Sequence, residues 1–384
     1  ADPPLIVVSQ RRPVPGSRDP LDPPPLPSAR VLRTWQGGAI RFRWTNTGLA
    51  AESFVDHDAG GNTEIGWTTN LKLNVLNMIR KSTYVNQIVF STLGIVLGLA
   101  LCGTLAVIEW GAWALVRPGR RLQPAASEPP PWEPIEATAA DGLRLRGAWH
   151  WAAEASGRTV VLLHGFAEDR SALQGRAEAL LEGGWNVALI DARGRGRSDG
   201  DLTSFGGREA DDQRVWIDAL TLFVGPALTP VLWGRSMGAA IALRAASIDP
   251  RIRALILEAP YADLRPTVAT WLRAIRIPGL FAGSLLRRAE RLAGVALHRP
   301  RPIDLAPQAA LPVLILHGEA DPVVSLSDVR RLASAFPTPP SLFEVPEARH
   351  GDVFDVGGPD LARRVLDFLN GAVPLPAATE VRSD

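Results

Sequence analysis

The sequence predicts an α/β fold, a mainly parallel sheet flanked by helices with a short helical cap, preceded by a single N-terminal transmembrane helix. Three observations predict it. From about residue 134 onward, short continuous apolar runs alternate with longer amphipathic ones. Residues 88–108, IVFSTLGIVLGLALCGTLAVI, form a run of 21 without a charge. At 231–243, an apolar run enters a glycine-flanked turn and emerges as an Ala-rich helix.

The N-terminal part comes first. Residues 1–30 are Pro-rich and read as extended and solvated. Residues 31–77 show no sustained period and receive no function. Both lysines, Lys72 and Lys81, and six of the eight asparagines fall in a short stretch, whereas the other 39 basic residues are arginine. Two readings of 1–77 follow from this bias. Either the segment is upstream translation or a poorly defined leader, with the working protein starting near Met78, or it is a variable extension. The leader as a whole is taken as 1–87.

The uncharged run is long enough to cross a hydrocarbon core at about 1.5 Å rise per residue. Glu109, Trp110 and Trp113 follow, then Arg117, Arg120 and Arg121. Tryptophan at the boundary with arginine beyond suits a membrane interface, so 88–116 is assigned as an anchor and 88–108 as its membrane contact. The run exceeds the usual h-region of a cleaved signal. Basic residues on the two sides balance, leaving sidedness open. Residues 117–133 form a Pro-rich linker, 134–373 the main domain and 374–384 a loose tail.

Within the main domain, a hairpin is expected at 135–139 and 143–149, around Asp141-Gly142. Further strands are expected at 159–163, 186–190, 230–233, 254–257, 312–316 and 341–345. Helices are expected at about 170–183, 208–224, 237–248, 325–336 and 359–370. Charge is nearly balanced, 41 basic against 40 acidic, and offers nothing to nucleic acid. The single cysteine, Cys102, excludes an internal disulfide framework and a cysteine-rich zinc site. No metal or organic cofactor is expected.

The chemistry centres on Gly234-Arg235-Ser236-Met237-Gly238. A serine on a strand–turn–helix is held with its hydroxyl above the sheet, the glycines letting strand and helix approach. Its hydroxyl needs a base. Of six histidines, His57 lies in the leader, His150 ends the hairpin and His298 falls in a helical insertion. His164 and His317 precede glycines at strand ends and shape turns. His350, after the last strand, has the order and placement of a general base. Asp321, past the penultimate strand, is the acid that orients it, and Glu258 is the runner-up. The oxyanion donors are assigned to the backbone N–H groups of Met237 and Phe166.

The segments HGFAEDR (164–170), DARGRGRSDG (191–200), FGGREADD (205–212), GRSMG (234–238), EAPYADL (258–264), HGEADPVV (317–324) and ARHGDVF (348–354) resemble the α/β-hydrolase superfamily. The resemblance covers about 132–372 and is nearest to membrane-anchored bacterial hydrolases of the serine aminopeptidase/monoacylglycerol-lipase-like and Bem46-like groups. It implies hydrolysis of esters, thioesters, amides or lipids. Arg195 departs from a frequent histidine, at a position read as structural. Residues 262–301 occupy the site of a cap, with eight arginines against Asp263 and Glu290. That cap either touches an anionic bilayer or shares an Arg-rich bias with the whole chain.

The expected function is a serine hydrolase cleaving a carboxylic ester, a lipid or acyl ester included, through an acyl-enzyme on Ser236. The expected substrate is a small-molecule ester, acyl or amide compound, and the expected location the bacterial cytoplasmic membrane. Two alternatives stand beside it: an amidase or aminopeptidase with the same triad, and a catalytically silent membrane-tethered scaffold.

Overall fold

The structure, a computed structural model, describes residues 5–8, 30–33, 39–45, 48–54, 71–119, 132–153 and 157–375. The chain divides into two compact units, Ala1–Gly103 and Thr104–Asp384. The first contains two small sheets, neither expected from the sequence. Strands β1 (Leu5–Val8) and β2 (Arg30–Arg33) pair in parallel, and β3 (Ala39–Thr45) pairs antiparallel with β4 (Gly48–Phe54). Helix α1, Leu71–Val116, starts well before the apolar run. Its part Lys81–Val116 is long and apolar enough to cross a membrane.

The second unit is built on an eight-stranded sheet, in the order β12-β11-β10-β9-β7-β8-β6-β5. These strands are β5 (Glu133–Thr138), β6 (Arg144–His150), β7 (Arg158–Leu163), β8 (Asn186–Ile190), β9 (Thr229–Arg235), β10 (Ala254–Glu258), β11 (Val313–Gly318) and β12 (Ser341–Val345). Strands β7 to β12 are parallel, while β5 and β6 join as an antiparallel hairpin.

Strands β7, β8, β10 and β11 are buried at every residue. Their side chains therefore alternate between two cores, as a period of two demands. Val161, Leu163, Leu232, Leu255 and Ile315 face one core with α3 (Glu209–Val224) and α4 (Met237–Ile248). Val160, Leu162, Val231, Ile256 and Leu316 face the other with α2 (Gln174–Glu182) and the C-terminal helix. The expected helix at 170–183 is thus divided, its first turn, Arg170–Leu173, being a 3-10 turn capped by Asp169.

The cap comprises α5 (Leu264–Ala274), a 3-10 turn at Gly279–Phe281 and α6 (Ala282–Ala293), which ends on left-handed Gly294. After the short α7 (Pro302–Leu305) come α8 (Leu326–Ala333) and α9 (Val353–Ala372). Helix α9 contains the expected segment 359–370 but begins earlier. It breaks at Gly358, where φ is 55°, and Pro359 opens its second half.

The end of α1 belongs to this unit. Ala112, Leu115 and Val116 are buried in the first core, and the Val116 carbonyl accepts from Thr203 N–H at 2.8 Å. Arg195, the departure noted above, is buried and donates to the Pro118 carbonyl at 2.6 Å. Its structural role is thus specific, fastening the chain that leaves α1.

Beneath the sheet, Arg176 meets Glu258 in a buried bidentate pair, and Trp233 Nε1 donates to the same carboxylate at 3.1 Å. Replacing Arg176 by Met should strand that carboxylate, lowering stability by about 3–5 kcal/mol. Arg176→Met/Glu258→Leu should recover most of the loss. Urea midpoints in detergent test both.

Candidate active site

The parallel register brings the loops to one edge. Leu163 at the end of β7 lies level with Gly234 on β9, and Gly318 of β11 lies level with Val345 of β12. Loops leaving these strands therefore project on the same side. Strand β7 lies between β8 and β9, so the crossovers from β7 to β8 and from β8 to β9 run in opposite directions and open a crevice at the carboxyl ends.

Ser236 sits at that edge with φ 52° and ψ −110°, a conformation disfavoured for a residue with a Cβ. Two glycines make the turn possible. A Cβ on Gly234 would collide with the Gly238 carbonyl, and one on Gly238 with the Leu163 carbonyl. Any side chain there would push α4 away from β7 and β9. The backbone is fastened from the neighbouring strand, Ser236 N–H donating to the Glu258 carbonyl at 2.8 Å. Ser236 is 7% exposed.

His350 reaches Ser236 from the loop after β12. Its Nε2 lies 2.8 Å from Ser236 Oγ, and its Nδ1 lies 2.7 Å from Asp321 Oδ2. The Asp321 side chain is 1% exposed. Its other oxygen, Oδ1, accepts from the N–H groups of Val323 and Val324 at 2.7 and 3.0 Å. Burial works to raise the Asp321 carboxyl. The His350 hydrogen bond and charge, together with the Val324 and Val323 amides, outweigh it and hold the group below the ordinary carboxylate value. An ionised Asp321 directs Nδ1–H toward itself and leaves Nε2 free to accept from the serine.

The other expected residues divide clearly. His317 donates through Nε2 to the Val324 carbonyl at 3.1 Å, shaping the Asp321 loop, and burial holds it toward its neutral form. His164 bonds the Gly165 carbonyl and Ala192 N–H, so it too shapes a turn. Glu258 is committed to Arg176 and Trp233 and makes no contact with His350. As the alternative acid it is excluded by position. Met237 is the first residue of α4, so its N–H is among those a helix leaves without an internal partner. Phe166 lies in the loop after β7, half-buried.

Two further features carried no sequence signal. The Glu168 carboxylate accepts from Gly165 N–H at 2.8 Å and pairs with Arg235, whose Nη1 donates to the Gly351 carbonyl at 3.3 Å. One buried guanidinium thereby links the loop after β7, the turn at Ser236 and the His350 loop. Burial works to raise the Glu168 carboxyl, but Arg235 outweighs it and lowers it. The second feature is an aromatic sandwich. The Phe166 ring stacks on Phe205 at 5.1 Å and on Trp271 of the cap at 5.4 Å, both at 23°. Glycine density and charge pattern cannot reveal such pairings, which only tertiary proximity creates. Among the described residues, no group of three or more His, Cys, Asp or Glu is placed to hold a metal.

The Asp321 carboxyl is depressed in the folded state, so its contribution is present above the unfolded carboxyl value of about 3.9. It is lost as pH falls through the folded value. Wild type should therefore lose more stability than Asp321→Asn as pH is lowered from about 5. Urea midpoints across that range test this; parallel curves would refute it.

A family described as "Serine aminopeptidase, S33" matches residues 154–304. The protein YfhR of Escherichia coli (strain K12) is 31% identical over 255 residues, 64% of this chain and 84% of its own. The protein Rv2307c of Mycobacterium tuberculosis is 30% identical over 232 residues, 60% of this chain and 76% of its own. Among solved structures, the Pyrococcus furiosus esterase Pf2001 is similar at a TM-score of 0.57 and 25% identity, over 67% of this chain and 98% of that one. Sheet order, the turn at Ser236 and these relatives agree: the chain belongs to the α/β-hydrolase superfamily.

Proposed function

We propose that this protein is a membrane-anchored serine hydrolase that cleaves a carboxylic ester through an acyl-enzyme on Ser236. The observation that carries the reading is the continuous relay Ser236 Oγ–His350–Asp321, at 2.8 and 2.7 Å. In this mechanism His350 Nε2 takes the hydroxyl proton as Oγ attacks the carbonyl carbon. The N–H groups of Phe166 and Met237 receive the oxyanion. His350 then gives its proton to the leaving alkoxide. In the second half it deprotonates water, which attacks the acyl carbon and releases Ser236 with its proton restored.

An ester is favoured over an amino-terminal peptide by the state of Glu168. A free carboxylate beside the oxyanion loop would suit a substrate ammonium group. Here Arg235 already neutralises it. The solved esterase from Pyrococcus furiosus and the thiohydrolase aneE of Aspergillus aculeatus, 30% identical over 189 residues, support acyl transfer from oxygen or sulfur. The anchor reading rests on the uncharged run 88–108 followed by Trp110 and Trp113.

A fluorophosphonate probe should label wild type at Ser236 and leave Ser236→Ala unlabelled. Ser236→Ala should also lower kcat for a p-nitrophenyl ester by at least about 1,000-fold, with KM little changed. Unlabelled wild type would instead favour a silent scaffold. The protein should stay in the membrane pellet after alkaline carbonate; release into the supernatant would remove the anchor.

A further inference from the structure

Helix α1 does more at its C-terminal end than leave the membrane. Glu109, the first charge after the apolar run, receives Arg288 of α6 in a two-pronged ion pair, Nε–Oε2 at 2.5 Å and Nη2–Oε1 at 2.7 Å. Trp113, one turn along, steadies the same carboxylate through Nε1 at 3.1 Å. Between these residues, Gly111 receives the Leu285 side chain so closely that an added Cβ would stand 2.7 Å from Leu285 Cδ1. Leu285 is buried. The cap helix is therefore fastened to α1 by charge and by shape at adjacent turns.

The same helix also holds the opposite side of the site. Its last residue, Val116, accepts from Thr203 N–H, and Arg117 pairs with Asp201 at 3.2 Å. Thr203 stands two residues before Phe205. The Phe205 ring forms one jaw on Phe166, and Trp271 of α5 forms the other. Helix α5 packs on α6. Both jaws that clamp Phe166 thus lead back to α1, one through Val116 and one through Glu109.

We infer that Glu109 is a positioning residue for hydrolysis, acting through Arg288, the cap and Trp271 on Phe166, whose amide is assigned to the oxyanion. The end of α1 is then part of the site's scaffold and not only a tether. The inference rests on the Ser236 reading. Its physical basis is that oxyanion donors help only if held in place before the charge develops, and displacements of about 1 Å are expensive in rate. Among the described residues, the side-chain hydrogen bonds of Ser236, His350 and Asp321 run to one another and to the Val323–Val324 amides, and Ser236 N–H runs to β10, with none to Glu109 or Arg288, so the relay should survive when the latch is broken.

The test uses the full chain in detergent with a short, water-soluble ester. Glu109→Arg and Arg288→Glu should each lower kcat by between about 10- and 100-fold with KM within about twofold, while fluorophosphonate labelling remains stoichiometric. The charge-swapped pair Glu109→Arg/Arg288→Glu should restore most of kcat. Trp271→Leu should give a similar loss that does not add to that of Glu109→Arg. Unchanged kcat in the single variants, no restoration by the pair, or additive losses would each overturn the inference. Loss of stoichiometric labelling in the single variants would overturn it too, because the relay would then depend on the latch. Failure of the underlying reading is separate and visible as unlabelled wild type or an active Ser236→Ala.

Discussion

The structure depends on a steric constraint at one turn: three backbones must come together where β9 becomes α4. Gly234 and Gly238 leave that space empty, so α4 can lie against the ends of β7 and β9. Everything that defines the site follows from this closeness. It sets Ser236 at positive φ, brings the start of α4 beside the loop after β7, and places the serine hydroxyl where a histidine from the edge loop can reach it. The Ala-rich face of α4, with Ala239, Ala242 and Ala245 buried, continues the same economy of volume along the helix.

Charge organises what sterics brings together. The loop after β8 is built around Asp191, which binds the Arg170 backbone and guanidinium and the Arg197 amide. Glu209 likewise gathers the Ser204 and Gly206 amides and the Thr203 hydroxyl at the start of α3. These buried carboxylates have their acceptor capacity filled, which makes them anchors for loop shape. Asp321, like Asp191, divides its capacity between amides and a side chain on another loop, but here that side chain is the histidine beside Ser236.

Much of this was legible in the sequence, for identifiable reasons. Strands β8 and β12 and helix α4 fall on the expected residues, because short apolar runs with abrupt polar or glycine ends leave little ambiguity. Ser236, Asp321 and His350 could be expected to converge, since each follows a strand of one parallel sheet. The hidden part is long-range. Nothing in the local pattern ties Glu168 to Arg235, Phe205 to Trp271 or Glu109 to Arg288. The early start of α1 is hidden because Lys72, Asn74, Asn77, Arg80 and Lys81 interrupt its apolar residues, while in the first unit only the short run Ile40, Phe42 and Trp44 alternates with Arg41 and Arg43. Arg195 reads as structural from the sequence, yet its partner, a carbonyl just past α1, leaves no local signal.

The seating of α1 also has a consequence for how the chain is made. Glu109 and its partner Arg288 are separated by 179 residues. At about 5–20 residues per second, roughly 10–35 s of synthesis pass between them. Through that interval Ala112, Leu115 and Val116 await a core whose later strands do not yet exist. A helix that enters a bilayer as it emerges has its first apolar turns sheltered during the wait. The last turns can then pass from nascent chain to domain once the cap has been synthesised, while β11, β12 and α9 are still to follow.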